Sequence, residues 1–154
     1  MDYLIEGLDP APFAPLFAQS DAALAQQNIV AVYAEDDDHP CRISLAGAAR
    51  GDRLLLLNHV HQPAASPYRA SHAIYVAQGS TAQARYRNVI APVMRTRPLS
   101  IRAFDNAGMI VDADLVDGAD AERLIHRLLA DPRAAYLQVH FARRGCFAAT
   151  VTRG

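Results

Sequence analysis

The chain has 154 residues, fifteen basic and sixteen acidic side chains, a formal net charge of −1 and 51% hydrophobic residues. That length suits a single domain with a full core, the apolar fraction excludes a disordered chain, and the balanced charge speaks against a dedicated nucleic-acid binder. No apolar run is long enough to span a bilayer, and Asp2 and Glu6 stand where a signal peptide carries positive charge, so a cytoplasmic protein without nucleic-acid or membrane partners is expected.

In chain order, residues 1–19 read as an extended, proline-rich arm. Pro10, Pro12 and Pro15 oppose regular helix, and Phe13, Leu16 and Phe17 are placed to dock on the core. Ser20 or Asp21 caps a short helix running to Gln26. The period then changes to that of strands: Ile29 to Ala34, Cys41 to Leu45, and Arg53 to His61. Four consecutive leucines, Leu54–Leu57, put apolar side chains on both faces of the third, which should therefore be a central strand. Ser71 to Gln78 follows as a strand, and residues 79–98 read as irregular with a helical turn near Ala82–Arg87. Leu99 to Asp105 and Met109 to Val116 form a hairpin around Asn106-Ala107-Gly108. Asp117 to Asp131 is the main helix, with an apolar stripe of Leu124, Ile125, Leu128 and Leu129 and a stop at Asp131-Pro132. A second hairpin, Ala135 to Ala142 and Cys146 to Arg153, turns at Arg143-Arg144-Gly145. The expectation is an α+β fold with a curved, mainly antiparallel sheet of about seven or eight strands.

Hairpin register assigns side chains to faces. With Gly145 left-handed in a three-residue turn, His140 pairs with Ala148, and Tyr136, Gln138, His140 and Cys146 share one face. His140 and Cys146 would then be diagonal neighbours, about 5–8 Å apart at the β-carbons, a spacing that suits a base beside a nucleophilic thiol. The same reasoning sets Arg102 opposite Asp112 and Ser100 opposite Asp114. His59 and His61 project from one strand face, as metal-ligand pairs require, but no carboxylate follows closely to complete a common site. His72 alternates with Ile74 and Val76, on an apolar face. His126 and His39 read as solvated. Cys41 and Cys146 are too few for a disulfide scaffold and suit a reducing compartment. Every basic residue is Arg, a bias that a GC-rich genome explains more simply than selection for anion recognition does, so only the placement of individual arginines carries an argument. No Walker loop, G-x-G-x-x-G unit, G-x-S-x-G elbow or H-E-x-x-H is present, and no cofactor is expected.

Four segments carry a resemblance: Pro40–Leu45, Ser66–Val76, Leu99–Asp105 and Val139–Cys146. In this order and spacing the chain resembles an uncharacterised bacterial family, the domain-of-unknown-function family numbered 1203. The resemblance implies no reaction. It draws attention to Cys41, Arg42, Pro67, Tyr68, Arg69, His72, Arg102, His140, Gly145 and Cys146, which match the family's pattern.

The leading expectation is a small-molecule site on the polar sheet face. Arg42, Arg69 and Arg102 would hold a carboxylate or phosphate and Tyr68 would add a hydrogen bond. His72 and His140 would be acid–base groups and Cys146 a nucleophile. A non-catalytic ligand-sensing or protein-interaction module, working as a homodimer, is the alternative from another class, and a metal- or redox-linked protein using Cys41 and Cys146 is the third. All of it depends on those side chains meeting in one cavity.

Overall fold

Two glycines with left-handed backbone, Gly108 (φ +76) and Gly145 (φ +77), close the two hairpins that organise the larger sheet. The computed structural model describes all 154 residues, Met1–Gly154. In chain order the strands are β1 Tyr3–Glu6, β2 Val30–Tyr33, β3 Arg53–Gln62, β4 Ala70–Ala77, β5 Arg85–Arg87, β6 Pro98–Phe104, β7 Ile110–Asp117, β8 Tyr136–Phe141 and β9 Phe147–Arg153. The helices are α1 Ala14–Phe17, α2 Asp21–Ala25, α3 Pro92–Arg95 and α4 Ala121–Leu129. Six strands form one sheet in the order β5-β1-β9-β8-β6-β7, and β2-β3-β4 form a second. Every pairing is antiparallel. The fold is α+β with one main helix, and its nine strands divide between two sheets.

The helix α4 lays Leu124, Ile125, Leu128 and Leu129 on one face of the larger sheet, where they join Ile101, Leu137, Val139 and Val151 in the main core. The smaller sheet has its own core. Leu54 and Leu55 are fully buried on opposite faces of β3, its central strand, and Phe13, Leu24 and Ile43 pack there too. Ser20 caps α2 by accepting from the Ala23 N–H at 3.2 Å.

Three segments differ from the sequence reading. The N-terminal arm begins as a strand: β1 lies between β5 and β9, with Tyr3 and Ile5 fully buried, and Ala14–Phe17 makes one helical turn that Pro15 tolerates at its start. Cys41 to Leu45 is a turn, because Leu45 is left-handed (φ +53) and its N–H bonds back to the Cys41 carbonyl. Residues 85–87 form an edge strand on β1, not a helical turn, held by Arg85 against Glu6 at 3.1 Å.

Beyond Leu56, β3 outruns β2. Its far end, His59 to Gln62, lies across the face of the larger sheet that α4 leaves uncovered, and there the polar side chains gather.

Candidate functional site

Two β-bulges decide which chemical groups share a face. In the β6–β7 hairpin, Phe104 pairs with Ile110 but Ala103 pairs with Asp112, so Val111 is the extra residue. The bulge turns Asp112 and Asp114 toward α4, where Arg127 binds them at 3.0 and 2.9 Å. Arg102 therefore faces Ala113, not Asp112. In the β8–β9 hairpin, Val139 pairs with Ala149 but His140 pairs with Phe147, so Ala148 is extra. Phe147 thus takes the His140 face, 5.9 Å from that ring, and Cys146 turns over to the core face beside Phe141. The expected His140–Cys146 pair does not form, because a single inserted residue reverses the alternation.

Register across β6 and β8 sets Ser100 beside His140 and Arg102 beside Gln138 on the uncovered face. The fully buried His140 has Nδ1 3.0 Å from the Gly145 carbonyl and Nε2 3.2 Å from Gln138 Oε1. Gln138 Oε1 also accepts from His61 Nδ1 at 2.9 Å, and its Nε2 donates to the His61 carbonyl at 2.7 Å. Those bonds clamp β3 onto β8. The His61 ring stacks on Phe147 and meets His140 edge-on at 4.9 Å, and its Nε2 has no protein partner. Burial, then the Arg102 charge, brings His140 down to about 3, and burial likewise lowers His59 and His61. The three rings are neutral at pH 7.

Arg102 is the unusual group. Its Nε reaches Ser100 Oγ at 3.4 Å, and its two terminal nitrogens donate to no protein atom. Burial alone pulls its pKa down, with no carboxylate close enough to offset the effect. His72 lies in the same neighbourhood, and its own nitrogens meet the carbonyls of Ala73 (2.8 Å) and Arg144 (3.1 Å). Tyr68 touches this face through Phe104, edge-on at 6.4 Å. Arg69 turns back to the Pro63 carbonyl of its own loop.

Arg42 and Cys146 lie on the other side of the β8–β9 hairpin. Arg42 is 2% exposed and donates to the Phe147 carbonyl (2.8 Å), the Pro40 carbonyl (2.6 Å) and Cys146 Sγ (3.1 Å). It borders a cleft of about 520 Å³ that also receives Arg97, Arg143 and Arg144. Cys41 is buried apart from the cleft; burial raises its pKa, but hydrogen bonds from Ser44, Ser80 and the Ala77 N–H outweigh that and leave it below the ordinary thiol value. His39 is not solvated as expected: it packs edge-on against Tyr75 at 5.2 Å, in the wall of the cleft.

The structure thus brings Arg102, His72 and His140 together and separates them from Arg42, Arg69 and Cys146. His61, whose spacing from His59 would suit a metal-ligand pair, is instead tied to Gln138, a link for which no local spacing carries a signal. No group of three or more His, Cys, Asp or Glu side chains is arranged to hold a metal ion, and no helix is long and apolar enough to cross a membrane. Comparison with curated proteins and with solved structures found no match. A family model described as a protein of unknown function, DUF1203, matches residues 38–153, about three quarters of the chain, and takes in both bulged hairpins.

Proposed function

This chain belongs to the DUF1203 family, and we propose that it binds a small anionic molecule, through a carboxylate or phosphate, on the uncovered face of its larger sheet. One observation carries the reading: a half-buried guanidinium, Arg102, whose terminal nitrogens have no partner and which no carboxylate neutralises. A guanidinium fork matches two oxygens of such a group. The Ser100 hydroxyl stands beside it as a further donor, and so does His61 Nε2 once the ring is protonated, since Nδ1 carries the proton of the neutral ring and gives it to Gln138, which fixes the ring. His72 and His140, whose nitrogens already face carbonyl and amide oxygens, brace the site. The acid–base position passes from them to His61.

The test is calorimetric titration with inorganic phosphate and with succinate. Binding by wild type, a loss of about tenfold or more in Arg102→Ala, and partial retention in Arg102→Lys are expected. A bound anion favours the charged form of His61, so affinity should rise as pH falls below 6.5. If neither anion binds, or if Arg102→Ala binds as wild type does, the reading fails and a protein-interaction module takes its place.

A further inference from the structure

The cleft behind the β8–β9 hairpin lies apart from the Arg102 face and has a different chemistry. Four arginines reach it, against two aspartates. Arg97 spends its charge on Asp38 at 2.8 Å, and Asp36 sits 3.5 Å from His39. Arg143 and Arg144 make no ion pair and no side-chain hydrogen bond, so their charges are free at the rim. Arg42, at the floor, is a guanidinium almost wholly out of water with only neutral acceptors and one sulfur around it. That sulfur, Cys146 Sγ, is the nucleophilic atom of the cleft, and the volume of about 520 Å³ fits a small metabolite.

Arg42 and Phe141 hold this arrangement from below. The guanidinium carbons of Arg42 and Arg97 stand 5.0 and 5.3 Å from the centre of the Phe141 ring. From the opposite face, the His72 and His140 rings meet the carbonyls of Arg144 and Gly145. The turn that carries the free arginines is therefore fixed on both sides.

We propose that this cleft is a second ligand site, taking a small anion that bears an electrophilic carbon: the rim arginines hold the anionic group and Cys146 is the atom that reacts. In that step the sulfur forms a bond to the carbon, the leaving group departs with its bonding electron pair, and the thiol proton passes to water.

Iodoacetate and iodoacetamide differ in charge and little in size, so together they test the idea on the folded full chain. Alkylation at Cys146 is followed by peptide mass spectrometry, with the urea-unfolded chain as the reference for intrinsic preference. The expected result is an iodoacetate-to-iodoacetamide rate ratio about tenfold higher in the folded protein than in the unfolded chain, falling as salt is added. The double variant R143A/R144A should return the ratio to the unfolded value while changing the iodoacetamide rate less than about twofold. Both arginines are exposed, so the variant keeps its fold. No labelling of Cys146 by either reagent, a ratio equal to that of the unfolded chain, or an equal loss of both rates in the variant would each overturn the proposal. Arg102→Ala should leave all these rates unchanged, which separates this site from the anion site on the other face.

Discussion

Arg42 stands almost entirely out of water without a carboxylate beside it, and only three acceptors make that tolerable. It ties the Pro40 loop to β9 through the Phe147 carbonyl and to Cys146. Removing the side chain leaves two buried carbonyls unpaired, each costing about 1–3 kcal/mol. Arg42→Ala should therefore lower stability by about 2–5 kcal/mol in urea titration, and Arg42→Lys should recover little, since an ammonium cannot reach three acceptors in a plane. A loss below about 0.5 kcal/mol would show that the guanidinium is not structural. From sequence Arg42 read as a ligand group; its carbonyl partners include one 105 residues away, a distance that no motif reports.

Among the elements, α4 shows how one strand completes another element's end. The last carbonyls of a helix have no partners within it. Here Arg153, near the end of β9, donates to the carbonyls of Leu129 (2.6 Å), Asp131 (3.0 Å) and Ala134 (2.7 Å). Arg153→Ala should cost about 1–3 kcal/mol and speed amide exchange in the last turn of α4 and in residues 130–134 more than in β3. Uniform acceleration across both sheets would instead assign Arg153 to global stability alone. The helix itself was legible, because its apolar stripe has the helical period and Asp131-Pro132 ends it. So were both hairpin turns, through Gly108 and Gly145. The bulges at Val111 and Ala148 were not, since one additional residue in a strand leaves no compositional trace and yet reverses every side chain up to the turn.

At the scale of the molecule, the two sheets meet over histidines that the fold keeps neutral. His59, His61 and His140 all have folded pKa values below the ordinary 6.5, His140 at about 3. The unfolded chain therefore binds more protons between those values. The stability they contribute is fully present above pH 6.5 and is lost as pH falls toward the folded values. For His140 alone the loss reaches about 2 kcal/mol by pH 5. The melting temperature should drop between pH 7 and pH 5, before the carboxylates titrate, and the slope should flatten in His140→Gln. A melting temperature constant over that range, or an unchanged slope in the variant, would mean that the rings are not held neutral at the sheet junction.

Local pattern alone determined the α+β class, the main helix, most of the strands and the identity of the arginine and histidine candidates, because periodicity, turn glycines and helix stops act over a few residues. It also singled out Arg102, but with Asp112 as its partner. Only the tertiary structure decided that Arg102 has no carboxylate partner, that His61 joins it from the other sheet, and that Cys146 faces a separate cleft with Arg42. Those outcomes depend on two one-residue bulges and on how β3 crosses the larger sheet, and packing between segments far apart in the chain sets both.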